Sequence, residues 1–252
     1  MSGCVKKRKE LPGMKPLQIS ISNSGPVPPE HNSNRNVPFL LNGAEVKSNS
    51  TTDRILWAVA AYFRRKRFKE FEKFLAGIET IIDFGGTPSI WTSIGRRGVV
   101  LLNLDEQPAP ADFLVVKGDA RNTSFPDLSF DLAFSNSTLE HVGTWEDQRA
   151  FASELCRVGK RIYCQTPACR FFFEPHYFTP FVDWCQFLLK HYWFVRYCTY
   201  YGLKWKPSRG QVKDFQSHLR LLTFSEMQRL FPNCEIRKER FLGMTKAYIA
   251  IR

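Results

Sequence analysis

The feature that most constrains this chain is a rhythm between residues 79 and 166. Five apolar runs of strand length, ETIIDF (79–84), GVVLLN (98–103), DFLVVK (112–117), SFDLAFS (129–135) and KRIYCQT (160–166), are β-branched and bounded by Gly, Pro or Asp. Polar or helical stretches separate them, and residues 145–158 (WEDQRAFASELCRV) carry a helical period. Such βαβ alternation predicts an α/β fold with a mostly parallel sheet and helices on both faces. Further on, a short helix is predicted at Ser225–Phe231 with Ser225 as its cap. Two strands then follow, CEIRKERF (234–241) and KAYIAIR (246–252), joined by a turn around Gly243. A parallel sheet that ends in an antiparallel hairpin is the predicted architecture.

The flanks read differently. Residues 1–50 are rich in Ser, Asn, Pro and Lys without helical or strand period, which predicts a flexible leader ahead of a domain over 51–252. From an N-cap at Asp53, the residues Ile55, Leu56, Val59, Tyr62, Phe63, Phe71, Phe74 and Leu75 recur at helical spacing. Arg64, Arg65, Lys66, Arg67 and Lys69 fall on the other face, read either as a solvated surface or as an anion-binding patch. Residues 171–205 hold 15 aromatics. They are expected to pack an aromatic-rich helical insertion (168–222) onto the sheet after strand five. The sharper reading makes the segment a lid for a large apolar or aromatic substrate, or a lipid-facing surface.

Charge at first points elsewhere. With 36 Lys+Arg against 24 Asp+Glu the formal net charge is +12, which favours a polyanionic partner. Divided by segment, however, residues 74–189 carry 9 basic and 14 acidic side chains, while residues 190–252 carry 13 and 4. The sheet region of this basic chain is acidic. Seven cysteines, odd in number and without a C-x-x-C pair, argue against a disulfide framework or a metal site and for a reducing compartment, the cytoplasm. The N-terminus has no apolar core of a secretory signal. Phe181–Gly202 is broken by Asp183, Lys190, His191 and Arg196, so no transmembrane span is expected, although peripheral membrane contact stays open.

Chemistry gathers at the strand ends. Strand one runs into Asp83-Phe84-Gly85-Gly86-Thr87-Pro88, where glycines let the backbone approach a ligand at the carboxyl edge of an open sheet. Strand two ends in Asn103-Leu104-Asp105, at the spacing that puts a polar side chain on ribose hydroxyls. Lys117-Gly118-Asp119-Ala120 closes strand three, and Ser135-Asn136-Ser137-Thr138-Leu139-Glu140-His141 closes strand four. Four successive strands ending in Gly or polar clusters predict a nucleotide-like cofactor site.

In order, DFGG, VVLLNLDEQ, VVKGDARNTSFPDLSFDLAFSNSTLEHVG, RVGKRIYCQTP and the terminal hairpin resemble the class I S-adenosylmethionine-dependent methyltransferases, type 11 small-molecule subgroup. That resemblance implies a Rossmann-like, seven-stranded sheet and S-adenosyl-L-methionine as cofactor. It places Asp83, Gly85, Gly86 and Thr87 in the loop under the methionine and ribose parts. At strand two it puts Asn103, with Leu104 and Asp105 following, where the family holds the ribose with an acid. Asp119 would accept from the adenine amino group, the Ala120 backbone would contact the ring, and Ser135 and Asn136 would line the floor. The family's Asp-x-Gly-x-Gly-x-Gly pattern is broken here, since Thr87 and Ser89 occupy the second and third glycine positions.

Methyl transfer is an in-line displacement from a sulfonium centre, so positioning and water exclusion carry most of the catalysis. A base is needed only for an acceptor whose proton is held tightly. His141 is a candidate, against its reading as a packed or capping histidine. Glu174 and His176 in FFFEPHYFTPF are candidates to bond a substrate hydroxyl, against a structural loop role. The expected acceptor is a small molecule. Two competing readings are an RNA-directed methyltransferase or nucleic-acid binder using the basic flanks, and a catalytically degenerate relative. No Asn-Pro-Pro-Tyr motif or RNA-binding module supports the first, so no nucleic-acid partner is expected.

Overall fold

The computed structural model describes residues 67–105, 108–174, 176–177, 179–181 and 186–252. The expected leader and the helix start at Asp53 lie outside the described residues. The strands run in chain order: β1 (Ile81–Phe84), β2 (Val100–Asn103), β3 (Leu114–Lys117), β4 (Phe130–Asn136), β5 (Gly159–Pro167), the short pair β6 (Phe173–Glu174) and β7 (Thr179–Pro180), then β8 (Glu235–Phe241) and β9 (Met244–Ile251). Residues 67–74 form helix α1, followed by α2 (Pro88–Ser93), α3 (Trp145–Val158), α4 (Gln186–Leu189), α5 (Tyr192–Cys198), α6 (Tyr200–Trp205), α7 (Arg209–Ser217) and α8 (Phe224–Leu230).

Seven strands make one sheet in the order β3-β2-β1-β4-β5-β9-β8. β1 to β5 pair in parallel, and β9 runs antiparallel to both β5 and β8. The fold is the expected one. β1 is buried at all four positions and lies centrally, whereas β8 alternates exposed and half-buried residues at the edge. Central strands read as apolar runs because helices cover both faces; an edge strand needs only one covered face. The first strands begin about two residues later than their apolar runs suggest. Glu79 and Thr80 instead donate their backbone N–H groups to the Asp131 carboxylate, at 3.2 and 3.0 Å.

On one face, α1 and α2 bring Phe71 and Trp91 against Phe134 of β4 and Tyr163 of β5. Ring centroids there lie 4.6 Å (Phe71–Tyr163) to 4.9 Å (Trp91–Phe134) apart. Contacts of this kind add about 0.5–1.5 kcal/mol each beyond the area they bury. α3 covers the other face, where Phe151 meets Phe84 edge-on at 5.5 Å. A reciprocal capping box starts α3: Thr144 accepts from the Asp147 N–H, and the Asp147 carboxylate accepts from the Thr144 N–H.

α8 departs from the predicted start. It begins at Phe224, not Ser225, because Thr223 and Glu226 form the same reciprocal box. The hairpin turns on two residues, Leu242 and Gly243, both at positive φ (48° and 79°), as a tight turn between right-twisted strands requires.

The insertion holds a core of its own. Tyr177, Val195, Tyr201 and Val212 are buried together, with Trp205 and Phe215 packed on them. Thr199 caps α6, and Gly202 lets α6 seat against the end of α5: a Cβ there would lie 2.6 Å from the Arg196 carbonyl oxygen. Phe187, Trp193, Tyr197 and Leu203 stay exposed on its outside.

Candidate active site

The carboxyl ends of β1 to β4 share one edge, fixed by parallel registers such as Phe84↔Leu102 and Leu102↔Val116. β1 leaves the sheet through Gly85, at φ 77°, whose N–H donates to the Leu102 carbonyl at 2.8 Å. A Cβ on Gly85 would lie 2.5 Å from the Thr138 hydroxyl, so the turn after β4 packs directly on this loop. At Gly86 a Cβ would overlap the Asp83 carboxyl. Asp83 is 1% exposed and accepts the Trp91 indole N–H at 2.8 Å. Burial pushes its carboxyl up to about 7, against the lowering effect of the Trp91 bond.

Thr87 and Ser89, where the family pattern has glycines, share a hydroxyl hydrogen bond of 3.0 Å across the start of α2. Thr87 is the extended N-cap residue and Pro88 occupies the first helical turn. From β2, the Asn103 side-chain amide donates to the Gly86 carbonyl at 3.0 Å, which leaves its Oδ1 to accept from a ligand hydroxyl. Leu104 and Asp105 are exposed beyond it.

After β3, Asp119 holds the Arg121 guanidinium at 2.6 to 3.0 Å and also accepts the Arg121 backbone N–H. Arg121 in turn reaches Asp147 at the start of α3. Burial raises the Asp119 carboxyl, but the bonds and charge of Arg121 outweigh it and hold it below its ordinary value. Ala120, half-buried, follows on the same edge.

β4 contributes Ser135, whose hydroxyl donates to the Phe84 carbonyl at 3.2 Å inside the sheet. Asn136 Oδ1 accepts from Arg67 Nη1 at 3.0 Å, and Arg67 Nε bonds Glu239 of β8 at 3.0 Å. Ser137, at φ 56°, reverses the chain into a 3₁₀ turn, Leu139–His141. Within that turn Glu140 is fully buried, with Oε2 accepting from the Thr166 hydroxyl of β5 at 2.9 Å. His141 Nε2 lies 3.2 Å from His176 Nε2 of the insertion. Burial first, then the nearby His176 and His218, push the His141 pKa down to about 3. Its ring is therefore neutral at physiological pH.

The proposed loop residues Asp83, Gly85, Gly86, Thr87 and Asn103 thus form one connected cluster, and the candidates His141 and His176 meet. Glu174 pairs with Thr179 through its backbone in the β6–β7 ribbon, and its side chain lies outside the described residues. Two residues at the site carry no role in the sequence reading: Trp91 fixes Asp83, and Glu140 sits beside His141. Arg67, read there as part of a solvated or anion-binding face, is instead largely buried and reaches Asn136 and Glu239 from α1. Only Glu140 had a local signal, its place next to a candidate histidine. The contacts of Trp91 and Arg67 are purely tertiary.

Residues 98–161, spanning β2 to the start of β5, match the family model described as a methyltransferase domain. The match covers the middle of the sheet and points to a methyltransferase domain. Similar solved structures include a SAM-dependent methyltransferase from Methanosarcina mazei, at 14% identity over 72% of this chain and 94% of that one, with TM-score 0.47. Another, from Archaeoglobus fulgidus, shows 12% identity over 78% of this chain and 98% of that one, with TM-score 0.48. No curated protein matches the chain. Among the described residues, no helix is long and apolar enough to cross a membrane.

The strand-edge residues would fit the chemistry of S-adenosylmethionine. A positive-φ glycine loop, the Asn103 Oδ1 and the Asp119 carboxylate offer close backbone approach and acceptors for hydroxyl and amino groups. The cleft between α3 and α8, lined by Cys156, Cys234 and Arg252, holds none of these residues.

Proposed function

We propose that the chain is an S-adenosylmethionine-dependent methyltransferase that alkylates a small-molecule acceptor held beneath the 168–222 insertion, which serves as a substrate-side lid. The observation that carries the reading is the 3.2 Å meeting of His141 with His176. It joins the turn after β4 to a segment with its own aromatic core, at the edge where the cofactor residues gather. S-adenosylmethionine supplies an electrophilic methyl on a good leaving group. Asp83, Gly85, Gly86, Thr87, Asn103, Leu104, Asp105, Asp119, Ala120, Ser135 and Asn136 hold or back the cofactor in this reading.

His141 is neutral, so it accepts a hydrogen bond from the acceptor's O–H or N–H and orients the lone pair for in-line attack. His176 fixes the imidazole, and Glu174 on the same ribbon bonds a substrate hydroxyl. The acceptor's proton leaves to solvent after the new bond forms, because an imidazole this weakly basic does not keep it. With an acceptor bound, the aromatic-rich insertion limits water around the reacting atoms. The cytoplasm is the compartment this reading takes, from the odd, scattered cysteines of the sequence.

Calorimetric titration with S-adenosylmethionine and S-adenosylhomocysteine, at two salt concentrations and with or without a short RNA, tests this. Cofactor binding without RNA binding is expected. Absence of cofactor binding overturns the reading; RNA binding that weakens steeply with salt moves it to a nucleic-acid acceptor.

A further inference from the structure

We infer that Glu140, His141 and His176 form a binding site for one borderline divalent cation of the Zn²⁺ class. The inference stands on the geometry of this cluster and goes beyond the methyl-transfer reading. One ligand atom from each residue lies within 4.8 Å of the others. Bond lengths of about 2.0–2.1 Å put two nitrogens of a tetrahedral zinc site about 3.4 Å apart. The two Nε2 atoms stand at 3.2 Å. Their ring centroids are only 4.9 Å apart with planes at 78°, so the imidazoles meet at a bend and not head to head. Two ligands around one ion adopt such a bend.

Glu140 completes the set. Its Oε1 lies 4.0 Å from His141 Nε2, longer than a tetrahedral edge by about 0.6 Å, so the carboxylate must swing inward when the ion enters. Its other oxygen is oriented by the Thr166 hydroxyl, the kind of outer partner that holds a metal-ligating carboxylate. The backbone is pinned as well: the Glu140 carbonyl accepts from the Arg220 N–H at 2.8 Å, and the Leu139 carbonyl from Gln148 Nε2 at 3.1 Å.

Two imidazoles and one carboxylate suit zinc better than calcium or magnesium, which prefer oxygen. Both histidines are partly exposed, so solvent reaches the site, and three protein ligands leave a fourth position for water or an acceptor oxygen. The cation would tie the turn after β4 to the insertion through His176. Sequence spacing hides the site because the third ligand lies 35 residues from His141.

The test uses the full chain, stripped with a chelator and titrated with Zn²⁺ and separately with Co²⁺ as an optical probe. Calorimetry is expected to give one Zn²⁺ per chain. Co²⁺ is expected to give a tetrahedral visible spectrum without a thiolate charge-transfer band. His176→Ala, on the partly exposed ribbon, should weaken binding at least about ten-fold, as should Glu140→Gln where it folds. Cys234→Ser should change nothing. No saturable binding, equal affinity in His176→Ala, or a thiolate band lost in Cys234→Ser each overturns the inference. None of these readouts requires methyl transfer, so its failure leaves the cofactor titration standing, and the reverse holds too.

Discussion

Asp83 combines a cofactor-loop position with an expensive location, and Asp83→Asn separates the two. Its carboxyl titrates at about 7 in the fold against 3.8 as an ordinary carboxylate. A raised acid pKa means that the folded state holds its proton after the unfolded chain has lost one. Stability therefore falls as pH climbs from about 4 to about 7 and is flat beyond. A difference near three units at about 1.4 kcal/mol each gives about 4 kcal/mol as the upper size of that loss. Asn keeps the shape and still accepts the Trp91 indole N–H, but it has no charge to bury. Urea unfolding of both forms from pH 4 to 9 should show the wild type losing several kcal/mol relative to the variant, with the difference developing between pH 4 and 7. The variant should be the more stable form at pH 8 and the weaker binder of S-adenosylmethionine, because a cationic ligand favours the ionised carboxyl. For the same reason, calorimetry in buffers of different ionisation enthalpy should show proton release when the wild type binds cofactor at pH 6. Parallel stability curves for the two forms would refute the reasoning.

Gly85→Ala should destabilise the fold by more than about 1 kcal/mol in urea unfolding and abolish cofactor binding, since it combines a φ of 77° with a clash against Thr138. Gly202→Ala should loosen the insertion, read as a red shift of tryptophan fluorescence from Trp205, while cofactor affinity stays within about two-fold, about 0.4 kcal/mol. Asn103→Asp restores the acid that the family resemblance expects, yet it sets a carboxylate against the Gly86 carbonyl; cofactor affinity should fall by roughly ten-fold, about 1.4 kcal/mol. His176→Ala should lower kcat/KM for the acceptor by about 10²-fold with cofactor affinity unchanged by calorimetry.

The sheet was legible because its code is local. Buried central strands demand contiguous apolar residues, and the Leu242–Gly243 turn needs a left-handed residue that glycine supplies. Strand starts were less legible, because Glu79 and Thr80 run straight into the apolar strand while their N–H groups are taken by Asp131, 51 or 52 residues away. The α8 start was readable and misread: Ser225 is a good cap by type, but Thr223 has an acid three residues on and Ser225 does not. In the site, the glycine loop and the polar strand ends carried their own signals. What those side chains bond did not, since Trp91 to Asp83 and Arg67 to Asn136 depend on how helices lie across the sheet.

The two missing glycines have a physical counterpart in these bonds. A glycine-rich loop follows a ligand because its backbone is free, and that freedom is lost as entropy on ordering. Here the loop is ordered in advance by side chains. Asn103 grips the Gly86 carbonyl, the Thr87 and Ser89 hydroxyls bond each other at the start of α2, and Trp91 on that helix holds Asp83 from below. Gly85 and Gly86 are kept where a Cβ would strike Thr138 or Asp83, so glycine survives at the positions where steric contact leaves no substitute. A loop fixed in this way has less ordering entropy to lose when a ligand binds but less room to adapt to it. The replacement of a family acid by Asn103 follows the same logic: an amide can donate to the loop and still offer an oxygen to a hydroxyl, whereas a carboxylate can only accept.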